Sequence, residues 1–110
     1  MEELELLCFK LITAAGTARS CSIEAVKEAK KGSFEEAKKL MEEGEKQFSS
    51  AHDIHSEILT KDAGGSESGN GSMLLMHAED LLMSAETFKI MAVDLIDICK
   101  AMNELSQKVK

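Results

Sequence analysis

An all-α fold, three long helices packed as an antiparallel bundle, is predicted for this chain by three observations. The 110 residues contain no proline, tryptophan or tyrosine, and they are rich in Ala, Leu, Met, Glu and Lys, which lose little rotamer freedom in a helix. Apolar and small residues recur at spacings of three and four rather than two. Two glycine-bearing breaks, Lys31-Gly32-Ser33 and the run from Gly64 to Ser72, divide that periodicity into three stretches.

The first helix is predicted over about residues 3–31. Leu4, Cys8, Leu11, Ala15, Ala18, Ser22, Ala25 and Ala29 fall on one stripe, the side that a core would cover. Lys30-Lys31-Gly32 closes it, with cations beside the negative end of the helix dipole and a glycine free to turn left-handed. Ser33-Phe34-Glu35-Glu36 reads as a capping box, in which the Ser33 hydroxyl and the Glu36 carboxylate each satisfy an orphan amide. The second helix, about 34–63, carries the stripe Phe34, Ala37, Met41, Gly44, Phe48, Ala51, His55 and Ile58 and stops near Asp62-Ala63-Gly64-Gly65. Residues 64–72 are Gly, Ser, Asn and one Glu, too polar to order themselves by burial, and are expected to form a flexible loop. The third helix is predicted over about 73–106. Together these make a single helical domain, residues 1–110.

The charge balance removes whole classes of function. Thirteen Lys and Arg against 20 Asp and Glu leave a net charge of −7, the wrong sign for a phosphate backbone or an anionic membrane surface. Neither a nucleic-acid partner nor membrane insertion is expected. No uninterrupted apolar run approaches the roughly 20 residues of a bilayer span, and the start, Met1-Glu2-Glu3-Leu4-Glu5, is acidic where a secretory signal is basic. The expectation is a cytoplasmic protein. Cys8, Cys21 and Cys99 are odd in number and lack C-x-x-C spacing, which predicts reduced packing thiols.

The third helix differs from the other two. On a helical wheel, Leu81, Phe88, Leu95 and Met102 occupy one strip, Met76, Met83 and Ile90 another, and Leu82, Ala85, Val93 and Ile96 lie elsewhere, more than two partner helices can cover. Self-association through this helix is therefore predicted. A polar seam, Asp80, Ser84, Thr87 and Asp94, runs between the first two strips, and a carboxylate buried there must be paired, protonated or metal-bound. Copies of Asp80 converging on a symmetry axis would need a cation or a shared proton. Pairing with a basic side chain of the first or second helix is the alternative.

His77 stands three residues before Asp80, near the helix start, where the dipole and free amides favour an anion. A neutral imidazole there could hold a phosphoryl group, although the commoner fates of a lone histidine are packing, surface exposure or metal ligation. His52 and His55, at i and i+3, could chelate zinc, yet His55 lies on the core stripe and reads more simply as a hydrogen-bonded core residue. Arg19 is too far along its helix to reach the level of His77 and is expected to make a structural ion pair with Glu86 or Asp94. Gly16 is expected to permit close helix approach.

His77-Ala78-Glu79-Asp80-Leu81-Leu82-Met83 resembles the third-helix motif, His-x-Gln-Asp-His-Leu-Met, of the lactose/cellobiose-class IIA subunits of the bacterial sugar phosphotransferase system. Ala15-Gly16-Thr17-Ala18-Arg19-Ser20 is similar to that family's first-helix signature, Gly32-Ser33-Phe34 with Ala37 is similar to its first turn, and Ala51-His52 and Asp62-Ala63-Gly64 also match. The resemblance covers nearly all of the chain.

What the resemblance implies is a phosphotransferase component that works as a phosphohistidine carrier, built as a homotrimer of three-helix protomers. His77 matches the histidine that takes a phosphoryl group from the phosphocarrier protein HPr and passes it to a cysteine of the IIB component during uptake of a β-disaccharide. Asp80 matches the aspartate that helps to hold a divalent metal, usually magnesium, between three protomers. At two neighbouring positions, possible phosphate or docking contacts, the chain has Glu79 where the family has Gln and Leu81 where it has a second His. A carboxylate near a phosphohistidine adds like-charge repulsion unless it points away, and Leu81 removes a donor. The competing reading is a helical oligomer without phosphoryl transfer, a metal-binding scaffold or a regulatory partner.

Overall fold

The computed structural model describes residues 3–63 and 72–109. It has three α-helices, α1 (Glu3–Lys30), α2 (Phe34–Ala63) and α3 (Ser72–Lys108), with no strand among the described residues. The all-α class expected from the sequence is the class observed. Of the segment expected to form a flexible loop, residues 64–71 lie outside those described, and Ser72 opens α3.

Local chemistry sets the helix ends. Acidic residues stand in the first turns of α1 and α2, and Lys27 and Lys30 in the last turn of α1, each sign matched to the dipole. Between α1 and α2 the chain reverses in a Schellman turn: the Ser33 amide donates to the Glu28 carbonyl and the Gly32 amide to the Ala29 carbonyl, both at 2.9 Å. Gly32 takes a φ of +87°, a conformation that costs a side-chain-bearing residue a steric clash. The Ser33 carbonyl accepts the first bond of α2, from Ala37 at 3.0 Å. Glu36 does not complete the expected capping box, because the Ser33 amide already donates to Glu28; its carboxylate lies 3.6 Å from Lys39 instead.

α1 packs against both other helices, which meet each other along a sparser seam. All eight residues of its stripe are buried, and Leu11, Ile58 and Cys8 are the largest fully enclosed side chains. One core cluster joins Leu4, Cys8, Leu11 and Ala15 to Ala51 and Ile58 of α2 and to Ala78 and Leu82 of α3. A second, around Ala25, Ala29, Ala37 and Ile96, lies towards the turn. By composition α1 is long and apolar enough to cross a membrane, but a core helix meets the same criterion, and here the stripe faces the other two helices.

Small residues let α1 and α2 approach closely at one point. A Cβ on Gly44 would lie 3.0 Å from Cys21 Cβ and 3.5 Å from the Ala18 carbonyl oxygen. Gly16, by contrast, has room: a Cβ there would be 3.8 Å from Leu81 Cδ2, an ordinary contact. The tight approach thus falls on the α1–α2 side of the bundle, and the expectation for Gly16 is corrected accordingly. Polar pairs mark the registers. Glu3 pairs with Lys61, His55 of α2 meets Glu79 of α3, and Glu45 meets Lys89 at 3.0 Å. Lys89 Nζ also lies 4.2 Å from the centre of the Phe48 ring, a cation held over an aromatic face.

All three cysteines are free. Burial pushes the Cys8 and Cys21 thiols up from their ordinary value, with Glu79 and Glu5 adding to the shift at Cys8 and Glu43 at Cys21. Iodoacetamide at neutral pH is therefore expected to label half-buried Cys99 first and to reach the other two only on unfolding. Peptide mass mapping reads the order, and labelling of Cys8 in step with Cys99 would contradict the packing.

α3 is the longest helix and the least covered. Ala78, Leu82, Ala85, Ala92 and Ile96 face the core, whereas Met76, Met83, Ile90, Ile98, Met102 and Leu105 each leave more than half of their surface exposed. Residues 101–109 are exposed throughout. The surplus of apolar surface read from the wheel is real, and in the single chain it faces outward.

Candidate functional site

His77 and Asp80 lie in the first three turns of α3, and both are exposed. Three residues apart on a helix, they point about 60° from one another and share one side. Among the described residues no cation lies within ion-pair distance of Asp80. The alternative in which a basic side chain of α1 or α2 pairs with it is therefore not what the protomer shows. Met73, Met76 and Met83, all strongly exposed, stand on the same end of the helix.

Glu79 does not join this group. Two residues from His77 it points about 200° away, and its Oε2 lies 2.8 Å from Nε2 of His55, with 21% and 35% of the His55 and Glu79 side chains exposed. One helix thus presents an imidazole to solvent while its neighbouring carboxylate is tied to α2. The pair also decides the reading of the other histidines: the His55 ring is committed to Glu79, and His52 is exposed, so no zinc pair forms between them. Leu81 is half-buried and turned towards Gly16. Among the described residues no three His, Cys, Asp or Glu side chains converge on one point, so they form no metal-binding cluster around Asp80 within the protomer.

Arg19 is placed differently from expectation. It donates to Ser84 Oγ at 3.1 Å and lies 5.8 Å from the Phe88 ring centre, and neither Glu86 nor Asp94 pairs with it. Ser84 and Phe88 share the flank of α3 that faces α1, whereas Glu86 points about 200° round from Ser84. Its contact at Ser84 is two turns beyond His77.

Sequence reasoning did not find the His55–Glu79 pair, although a signal existed. His55 is eight residues before the end of α2 and Glu79 seven after the start of α3, so counting outward from the intervening segment brings them level. Replacing Glu79 with Gln keeps a hydrogen-bonding partner for His55 and is expected to change stability by less than about 0.5 kcal/mol. His55→Ala leaves a half-buried carboxylate without its partner and is expected to cost about 1–2 kcal/mol. Urea unfolding ranks the two, and equal losses would show the pair to be idle.

Comparison with known proteins identifies the family. Residues 6–100 match the family described as PTS system, lactose/cellobiose specific IIA subunit. The chain is 41% identical over 99 residues to the oligo-beta-mannoside-specific EIIA component of the PTS system of Bacillus subtilis (strain 168), a match spanning 90% of this chain and 89% of that one. It is 37% identical over 103 residues to the lichenan-specific phosphotransferase enzyme IIA component of the same strain, spanning 94% and 93%. Its fold is similar to the crystal structure of the PTS cellobiose specific enzyme IIA from Bacillus anthracis, with a TM-score of 0.87 and 36% identity over 94% of each chain. With three long helices, the third-helix motif and these matches running nearly end to end, the chain belongs to the lactose/cellobiose-specific IIA family, the IIA phosphotransferase components of the sugar phosphotransferase system.

Proposed function

We propose that the chain is a phosphohistidine carrier in which His77 accepts a phosphoryl group from phospho-HPr and hands it to a cysteine of the IIB component during uptake of a β-disaccharide. The observation that carries this reading is the exposed imidazole of His77 on a packed helix, with the adjacent Glu79 carboxylate drawn off by His55. A neutral ring nitrogen attacks the donor's phosphorus in line; the new N–P bond forms as the donor's N–P bond breaks, and the donor imidazole leaves with the bonding pair. In the second step a thiolate attacks in the same geometry, an S–P bond replaces the N–P bond, and His77 is returned neutral. Such transfer asks mainly for positioning, which a helix supplies. Exposure lets two partners reach the same nitrogen in turn. Met73, outside the apolar row that the trimer proposed below would cover, offers each of them an adaptable apolar contact, and the net charge of −7 favours a basic docking face, with binding that weakens in salt.

The same reading makes the protein a cytoplasmic homotrimer of antiparallel three-helix protomers joined through α3. Its support is the outward apolar row of α3 and a groove of about 420 Å³ beside it, lined by Ile23, Val26, Phe88, Met91 and Leu95. Three exposed Asp80 carboxylates, each without an ion-pair partner among the described residues, would form at an axis an oxygen-only donor set suited to Mg²⁺. The cation's contribution would be to cancel the repulsion between them.

Intact mass after incubation with phosphoenolpyruvate, enzyme I and HPr tests the central claim. One acid-labile phosphoryl group per chain is expected. Absence of uptake under conditions that charge HPr would overturn it in favour of the non-transferring helical oligomer.

A further inference from the structure

Arg19 is only partly provided for within its own chain. Its guanidinium has five N–H donors, of which one meets Ser84 Oγ, while its flat face lies over Phe88. Among the described residues no carboxylate pairs with it, and it is half-buried beside the flank of α3 that faces α1. Glu86 is the complementary case. It is exposed on the opposite flank of the same helix, and no cation pairs with it among the described residues.

We propose that Arg19 of one copy pairs with Glu86 of the next across the subunit interface. This rests on the trimer proposed above and adds the ion pair that orients it. In a ring each interface is heterologous, joining one flank of a copy to the opposite flank of its neighbour. Arg19 and Glu86 lie on such opposite flanks. Rotation about an axis parallel to α3 leaves every residue at its own height, and residue 86 is midway between Ser84 and Phe88, the two side chains that hold the guanidinium. Asp80 and Asp94 lie about 6 Å below and 9 Å above that bracket at 1.5 Å per residue. The match in height therefore selects Glu86. The apolar surroundings, Ile23 and Phe88 on one flank and Ile90 and Val93 on the other, all exposed in the single chain, exclude water on assembly and strengthen a guanidinium–carboxylate pair.

Sedimentation equilibrium of the full chain tests the pair with Arg19→Glu, Glu86→Arg and the double variant, using far-UV circular dichroism to confirm equal helicity. Wild type is expected to sediment as a trimer. Each single reversal is expected to weaken assembly ten- to a hundredfold, and the double variant to restore it to within about threefold. A monomeric wild type would overturn the trimer and the pair together. A trimeric wild type whose single reversals assemble normally, or whose double variant assembles no better than either single, would overturn the pair alone. Because Glu86 is exposed in the protomer, its reversal leaves the fold intact and keeps the test decisive.

Discussion

His77→Ala is expected to abolish phosphoryl uptake from HPr completely while leaving helicity and oligomeric mass unchanged. In the proposed transfer the imidazole nitrogen is the nucleophile, so its removal leaves no atom for phosphorus to bond. The packing consequence is slight, since His77 is exposed and no described side chain hydrogen-bonds to it. Asp80→Asn should show the reverse pattern: weakened assembly and lost cation dependence, with an intact acceptor. Intact-mass phosphorylation and sedimentation on the same preparations separate the two. If His77→Ala failed to assemble, the histidine would be a structural ligand and the scaffold reading would replace the carrier.

The second large effect is on stability and depends on which glycine is changed. Gly44→Leu is expected to destabilise the fold by about 3 kcal/mol, because overpacked core positions force backbone shifts. A Cβ at residue 44 already lies 3.0 Å from Cys21 Cβ, an atom fixed to the α1 backbone that cannot rotate aside. Gly16→Ala should act oppositely, gaining about 0.5–1 kcal/mol from helix propensity, since its Cβ would meet only the tip of Leu81 at 3.8 Å. Thermal melts at one protein concentration compare them, and a stabilised Gly44→Leu would mean that α1 and α2 separate more easily than their contact suggests.

Much of this architecture is legible before any coordinates, for a physical reason. Burial on a helix repeats every three to four residues, so Leu4 to Ala29 and Phe34 to Ile58 declare their faces through spacing alone. The excess apolar surface of α3 could be counted in the same way. Features that depend on how helices are rotated and set against one another were not available from spacing. Spacing places Glu86 and Asp94 on the helix that Arg19 meets but does not show that Arg19 contacts Ser84 and Phe88 there instead of either carboxylate. Close approach was assigned to Gly16 when the α1–α2 contact places it at Gly44, and the capping box failed because the preceding turn claims the Ser33 amide. At the site, residue chemistry alone points to an anion-friendly imidazole and an aspartate in need of a partner, and only the resemblance to the family implies their roles. The structure added the fate of Glu79, which faces α2.

The uncovered side of α3 also has a bearing on time. A newly made chain can form its three helices quickly, because helical bundles rely on contacts between nearby residues, yet it then carries Met76, Met83, Ile90, Ile98, Met102 and Leu105 in water. In the proposed trimer other copies cover that row, and encounters with them depend on concentration. A cell making few copies therefore leaves each one waiting longer in the form that chaperones and proteases select.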